Sequence, residues 1–349
     1  MIKILHSGDW HLDAPLLFPD AAQRERLKRG LASVPQKIAN LCKEKNCDLL
    51  LLSGDLFDGA YAQDTLEQLK NTLQQVQIPV FITPGNHDFV GADSPWLTET
   101  FPENVHIFTS PVIESVAIPH LDCRVYGAGF TSMDCSGLLA DFTAEQEEAY
   151  AIGVLHGDPT QVSSPYNPIT KDQVKNSALN YLALGHIHKG DQFRAGKTLC
   201  AWPGCPMGHG YDETGAKGVL LVTLDGTATA EFIPLDTPRF YDLEVPAENG
   251  LDSVLPPVGN EDFYRITLTG PSDPLDLDKL QQEYSNFPNL VLRDKTTPPL
   301  DIWGSENDDT LEGMYFKLLK EQAEQCNELA ALSAKISRTL LNGQEVVLP

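Results

Sequence analysis

The first eleven residues, Met1-Ile2-Lys3-Ile4-Leu5-His6-Ser7-Gly8-Asp9-Trp10-His11, set a pattern: a short apolar run, a glycine, then a carboxylate and an imidazole two residues apart. Glycine at a strand exit permits a sharp turn without a Cβ clash, so the next side chain can point into a shared site. The pattern recurs. Leu49 to Leu52 runs into Gly54-Asp55, Val80 to Ile82 into Gly85-Asn86, Ala151 to Leu155 into His156-Gly157, and Tyr181 to Leu184 into Gly185-His186. Runs this short, bounded by turn residues, read as buried strands, and the stretches between the first three have helical character. Ala21 to Asn46, for instance, places Leu27, Leu31, Val34, Ile38 and Leu41 at helical spacing, with Pro35 either kinking the helix or opening a second one. Alternating strand and helix predicts an α/β sheet, whose ligands gather outside the carboxyl ends of the strands. Five unrelated turns would account for the glycines, but not for Asp, Asn or His beside every one.

The residues delivered to that edge are Asp9 and His11, Asp55, Asn86 with His87, His156, and His186 with His188. Two apart on an extended segment, Asp9/His11 and His186/His188 each turn to one side and can reach one metal cluster. Imidazole, carboxylate and amide oxygen form a mixed N/O set suited to Mn, Fe or Zn ions, without a soft thiolate. Seven ligands are too many for one ion. With one carboxylate shared they fit a pair of divalent ions about 4 Å apart, the arrangement used for in-line displacement at phosphorus.

These motifs, in this order, resemble those of the calcineurin-like metallophosphoesterase superfamily, over Met1 to about Phe232. The resemblance implies that Asp9, His11, Asp55 and His188 bind one metal and Asp55, Asn86, His156 and His186 the other, with Asp55 as the bridge. It implies that His87 contacts phosphate and protonates the leaving group, that Asp88 orients His87, and that Asp58 holds a ligand by hydrogen bond. A closer likeness narrows the substrate. Ser7-Gly8-Asp9-Trp10-His11-Leu12, Gly54-Asp55-Leu56-Phe57-Asp58 and Trp202-Pro203-Gly204-Cys205-Pro206 look like SbcD-type DNA repair exonucleases, and Glu213-Thr214-Gly215-Ala216-Lys217-Gly218 more like the YhaO-type branch. Those relatives imply a sandwich of β-sheets flanked by helices, a smaller capping domain, an SbcC-like coiled-coil ATPase partner that receives a C-terminal helical segment, and a homodimer.

The C-terminal third fits that layout. Alternating strands at Thr198 to Trp202, Lys217 to Thr223 and Ala228 to Ile233 lead to a linker at Pro234 to Pro238. Domains are therefore expected at 1–237 (phosphoesterase), 238–300 (a smaller α+β cap) and 301–349 (linker and terminal helix, a candidate docking segment). Asp309-x-x-Glu312 reads as a capping box opening one long helix that ends near Asn342-Gly343, with Leu311, Tyr315, Leu318, Cys326, Leu329, Ile336 and Leu340 near one face. Among histidines outside the motifs, His209 is a candidate to line the site, whereas His106 and His120 read as structural.

Composition restrains this reading. The 349 residues carry 25 Lys and Arg against 49 Asp and Glu, a net charge of −24, which argues against a general nucleic-acid binder. Two basic segments adjoin ligand loops. Residues 24–45 hold Arg24, Arg26, Lys28, Arg29, Lys37, Lys43 and Lys45 against two acids, and residues 171–197 hold Lys171, Lys175, Lys189, Arg194 and Lys197 against two. DNA contact is thus expected only at the metal edge and these two basic segments. Seven irregularly spaced cysteines fit reduced, buried thiols. No apolar run is long enough to span a bilayer and the N-terminus turns polar too soon for a signal peptide, so a cytoplasmic protein without membrane association is expected. The expected activity is hydrolysis of DNA phosphodiester bonds by a two-metal mechanism with a bridging hydroxide, Mn²⁺ being the leading cofactor and Fe or Zn the others. The alternatives are a metallophosphatase or phosphodiesterase acting on nucleotides or phosphoproteins, and an interaction subunit of an ATPase complex.

Overall fold

The computed structural model describes residues 1–16, 18, 20–325 and 327–343, which form two compact units. The first comprises Met1–Asp242 with Asn260–Tyr264 and Phe287–Asn289; the second takes Leu243–Gly259, Arg265–Asn286 and the chain from Leu290. The chain therefore passes between the units several times and not at a single linker.

Four strands, β1 (Ile2–Ser7), β2 (Leu49–Leu52), β3 (Val80–Ile82) and β4 (Val105–Ile107), lie parallel in that order in the first sheet. A second six-stranded sheet contains β5 (Glu114–Ile118), β6 (Cys123–Gly127), β7 (Tyr150–His156), β8 (Tyr181–Gly185), β9 (Lys189–Ala195) and β10 (Thr198–Gly204), in the spatial order β5-β6-β7-β8-β10-β9. There β6, β7, β8 and β10 are parallel. The hairpin β11 (Gly218–Asp225) and β12 (Thr227–Pro234) then completes the first sheet, antiparallel to β1.

The run Leu49-Leu50-Leu51-Leu52 shows why the sheets stack. Successive side chains of a strand point to opposite faces. Leu49 and Leu51 join Ile4, Phe81, Ile152, Val154 and Val222 in a core shared by both sheets. Leu50 and Leu52 pack on the other face with Leu31, Ile38, Leu66 and Leu69, which come from α1 (Ala21–Ala32), α2 (Val34–Lys45) and α3 (Gln63–Val76). A strand buried on both faces needs a continuous apolar run, and truncating Leu51 to alanine would cost about 2–5 kcal/mol. Pro35 sits in the first turn of α2, where its missing N–H breaks no helical bond, so it opens a second helix and does not kink one. After α4 (Pro95–Thr98), α5 (Lys171–Asn176) covers the outer face of the second sheet, where Val174 meets Leu182 and Leu184. The α/β sandwich read from the sequence is the observed architecture.

Further along the chain β13 (Phe240–Pro246), β14 (Phe263–Pro271) and β15 (Leu290–Thr297) make a three-stranded sheet in that order, accompanied by α6 (Leu277–Glu283). The C-terminal helix differs from the expectation. It is two helices, α7 (Leu311–Glu324) and α8 (Glu328–Leu341), folded back on each other. Thr310, not Asp309, caps α7, its Oγ1 accepting from Gly313 N–H at 3.0 Å. Glu312 is drawn away from the cap by Ser305 Oγ (2.9 Å) and by Arg338 Nη1 of α8 (2.6 Å). The Arg338 guanidinium also lies 3.9 Å from the centre of the Phe316 ring, and Tyr315 Oη reaches Ser337 Oγ at 2.8 Å. An apolar stripe that continues across both helices concealed the break. Cys326 lies outside the described residues. Among the described residues no helix is long and apolar enough to cross a membrane.

Candidate metal centre

Because β1, β2 and β3 are parallel, as are β7 and β8, their carboxyl ends deliver every loop singled out in the sequence to one edge of the sandwich. The loops leave the strands through left-handed backbone: φ is 54° at Asp9, 46° at His11, 51° at Asp55 and 97° at His186. For residues with a Cβ such conformations cost on the order of 1–3 kcal/mol each and persist where surrounding contacts enforce them. Those contacts are present. His156 Nδ1–H donates to the Ser53 carbonyl at 2.8 Å, joining the second sheet to the first. His186 N–H donates to Asp9 Oδ1, also at 2.8 Å. Gly85 is needed for its size, since a Cβ there would collide with Asp55 Oδ1 and come within 2.8 Å of the His156 ring.

Asp9, His11, Asp55, Asn86, His156, His186 and His188 are all brought together. His11 Nε2 stands 3.1 Å from His188 Nε2 and 3.8 Å from Asp55 Oδ2. Asp55 Oδ2 is 3.4 Å from His156 Nε2. Asn86 Oδ1 faces His156 Nε2 at 2.9 Å and His186 Nδ1 at 3.1 Å. Two sets, Asp9/His11/His188 and Asp55/His156/His186, each place their donor atoms within 4.8 Å of one another.

The chemistry of the set fits divalent cations. A carbonyl only accepts, so the Ser53 contact puts the His156 proton on Nδ1 and turns the Nε2 lone pair toward Asn86 Oδ1 and Asp55 Oδ2, both acceptors. Asp9 Oδ2 is buried and, among the described residues, has no hydrogen-bond partner. Buried acceptors facing one another call for a cation, and imidazole with carboxylate suits a borderline divalent ion. Protonation behaviour records the same field. Burial opposes charge on His156, but the Asp55 and Asp9 carboxylates outweigh it and push the imidazole up to about 9. Asp55 is held well below the usual carboxylate range: burial works the other way, and His156 and His11 overcome it. Burial, helped by neighbouring His156, lowers His186 to about 4.

His87 is half-exposed beside the cluster, and its orienting partner is not the one expected. Asp88 turns inward, accepting from the backbone N–H groups of Gly85 (2.7 Å), Leu56 (2.8 Å), Asp55 (3.2 Å) and Phe57 (3.4 Å), so it braces the β2 and β3 loops. Asp58 holds His87 instead, with Oδ1 2.5 Å from His87 Nδ1 and 3.3 Å from His11 Nδ1. Sequence reasoning also missed Glu213. Its Oε1 contacts His188 Nδ1, while Oε2 accepts from His209 N–H at 2.7 Å. The only signal was its place in Glu213–Gly218. His209 stands with its ring centroid 5.6 Å from that of His11. The Trp202-to-Pro206 turn braces the His186/His188 loop: Trp202 Nε1–H donates to Lys189 O at 3.0 Å and Cys205 N–H to His188 O at 3.3 Å.

Two clefts open from the first unit near these loops. One, of about 590 Å³, is lined by Leu12, Asp13, Tyr61, Arg24 and Lys28. The other, of about 430 Å³, is lined by His188, Lys189, Trp202 and Lys217.

The family model for calcineurin-like phosphoesterases matches residues 2–190. An uncharacterized metallophosphoesterase, YhaO of Bacillus subtilis (strain 168), is 32% identical over 246 residues, covering 66% of this chain and 60% of the relative. The SbcD component of the nuclease SbcCD from the same organism is 23% identical over 266 residues, covering 63% of this chain and 66% of the relative. The chain thus spans only part of the length of either relative. A dimetal phosphatase from Danio rerio aligns with a TM-score of 0.45 and 11% identity, covering 67% of this chain and 98% of that one. With the family model spanning more than half of its length, the chain belongs to the calcineurin-like phosphoesterases.

Proposed function

We propose that the chain is the nuclease subunit of a DNA repair assembly, hydrolysing DNA phosphodiester bonds with two divalent ions and working with an SbcC-like coiled-coil ATPase in the cytoplasm. The observation that carries the catalytic part is the convergence of buried electron-pair donors, above all the unpartnered Asp9 Oδ2, on one sheet edge. The choice of DNA is supported by likeness to the SbcD component of the nuclease SbcCD; the two clefts offer Arg24 and Lys28 beside the carboxylates of Asp13 and Glu25 in one, and Lys189 and Lys217 beside that of Asp191 in the other.

In this reading Asp9, His11, Asp55 and His188 would hold one ion, and Asp55, Asn86, His156 and His186 the other, with Mn²⁺ the first candidate. When bound, the pair supplies Lewis-acid polarisation of the phosphoryl oxygens and an activated water at neutral pH. The protein's own residues do the rest. Asp58 fixes the His87 ring through Nδ1, which leaves Nε2 to contact the phosphate and protonate the leaving oxygen. Asp88 keeps the Asp55 and Gly85 backbones in register.

In this proposal residues 238–300 are the cap, and α7 and α8 the segment that docks on the ATPase. Leu311, Leu318, Leu329, Leu340 and Leu341 expose apolar surface there, the kind that marks a protein-contact site. A homodimer is part of the same proposal.

The test is a nuclease assay on duplex DNA with Mn²⁺, with and without the ATPase, beside Asp55→Ala and His87→Ala. Cleavage that needs the metal and is lost in both variants is expected. Undiminished cleavage in both would sink the assignment. Hydrolysis of nucleotides or phosphoproteins, with DNA untouched even in the presence of the ATPase, would move the reading to a general metallophosphoesterase.

A further inference from the structure

The two imidazoles that meet at the first ion's position are oriented by different means from His156 at the second. His156 is anchored by a backbone carbonyl, that of Ser53. His11 and His188 are anchored by carboxylates, His11 Nδ1 by Asp58 and His188 Nδ1 by Glu213. Glu213 belongs to no ligand motif. It comes from the loop between β10 and β11, and its carboxylate is largely buried, with 13% of the side chain exposed. Three N–H groups satisfy it: His188 Nδ1–H on Oε1, and the His209 backbone N–H (2.7 Å) and Nδ1–H (3.2 Å) on Oε2.

We propose that Glu213 is a positioning residue for the first metal ion: anchored by His209, it fixes the His188 tautomer so that Nε2 presents its lone pair to the site. A carboxylate only accepts, so the His188 proton must sit on Nδ1. Asp58 imposes the same choice on His11. The two Nε2 atoms, 3.1 Å apart, then face each other as bare lone pairs beside the unpartnered Asp9 Oδ2. With both rings neutral that contact is repulsive, and a cation between them, a proton or a metal ion, relieves it. Outer carboxylates of this kind orient ligating histidines and raise their basicity, and losing one costs about 10–100-fold in metal affinity. Because Glu213 touches neither His156 nor His186, the loss falls on one ion of the pair. The chain's two ion affinities are therefore separately adjustable, the first through the Gly208-to-Glu213 loop.

The inference rests on the metal-centre reading, and its test separates the two. Metal-free protein is titrated with Mn²⁺ by calorimetry as wild type, Glu213→Gln and His209→Ala. Expected are two ions per wild-type chain; in Glu213→Gln, one bound about 10–100-fold more weakly and the other unchanged; and a smaller loss in His209→Ala, where the residue 209 backbone N–H still holds Oε2. Two ions at wild-type affinity in Glu213→Gln overturn this inference alone. A wild-type chain that takes up no Mn²⁺ overturns the metal-centre reading and this inference with it. Histidine ¹⁵N spectra of the wild type give a readout independent of variant folding: the Nδ1–H tautomer at His188 is expected, and the Nε2–H tautomer refutes the proposal.

Discussion

Asp58 Oδ1 lies between two imidazoles, 2.5 Å from His87 Nδ1 and 3.3 Å from His11 Nδ1, so one carboxylate orients both a proposed proton donor and a proposed ligand. Asp58→Asn keeps the size of the side chain and removes the charge. It should lower kcat on a small phosphodiester by about 10–100-fold, as loss of an orienting carboxylate does, and leave KM nearly unchanged. His87→Ala should lower kcat by about 10²–10⁴-fold. At saturating Mn²⁺, an Asp58 that acts on the chemistry through His87 makes the double variant no worse than His87→Ala on kcat; additive losses would place its effect at His11 instead.

Asp88 has a different role, because its partners are four backbone N–H groups and no imidazole. Removing a buried acceptor strands donors that cannot reach water, at roughly 1–3 kcal/mol per group. Asp88→Ala should therefore lower the urea midpoint by the equivalent of about 3 kcal/mol or more. A variant as stable as wild type but catalytically dead would place Asp88 in the chemistry instead.

These two aspartates show which parts of the site are legible in sequence. Each glycine-and-ligand loop is local: a strand exit, a turn and a side chain within five residues, as in Gly8 to His11, so the seven converging residues can be read without a structure. Partners are not local in this way. Asp88 adjoins His87 in sequence, yet the loop turns it inward to the Leu56 amide 32 residues away, and Asp58 takes its place. Glu213 reaches His188 across 25 residues from a loop without periodicity. The α7/α8 reversal was hidden for a related reason. Helical spacing reports which face is apolar, whereas the break depends on Arg338 meeting Glu312 and Phe316, a contact made only after the chain folds back.

Metal uptake should depend on pH through His156. In the metal-free chain burial opposes its charged form, but Asp55 and Asp9 raise it to about 9, so at neutral pH a proton occupies the acceptor pocket that an ion would take. An imidazole must be neutral to ligate. Affinity for Mn²⁺ should consequently rise by about tenfold per pH unit below 9, with release of one proton. Calorimetry in two buffers of different ionisation enthalpy measures that proton. The stability contribution of this group has the opposite sense: it is fully present below the unfolded value of 6.5 and disappears as pH rises through about 9. Affinity that does not vary from pH 6.5 to 8.5 contradicts the assignment of His156 as a ligand.

His6 predicts a separate acid sensitivity. Its ring is fully buried between the sheets, with Nδ1 2.7 Å from Tyr181 Oη and Nε2 3.0 Å from Ser53 Oγ, and burial pushes its pKa down to about 3. The unfolded chain binds this proton near 6.5 and the folded chain does not, so stability is complete above 6.5 and declines as pH falls toward 3. His6→Gln should be less stable throughout, yet lose less on acidification between pH 6.5 and 4, by about one proton in the slope of stability against pH. Parallel wild-type and variant slopes of urea-derived stability would rule out His6 as the source.

The net charge of −24 makes the location of DNA contact a quantitative question. Of the first basic segment, Lys37 sits 3.9 Å from Asp236, Lys45 2.9 Å from Glu44, and Arg26 3.5 Å from Glu261, and Arg24 donates to the Phe18 carbonyl, while Lys28 lines the cleft beside the His11 loop. A cation that neutralises a DNA phosphate contributes about 0.9 to the slope of log K against log[salt]. Lys28→Ala should flatten that slope by about 1 and weaken binding of every duplex sequence alike, whereas Lys37→Ala should leave it unchanged. Fluorescence anisotropy from about 25 to 200 mM salt reads both. A flattened slope in Lys37→Ala with none in Lys28→Ala would place the DNA on the outer face of α2, away from the metal edge.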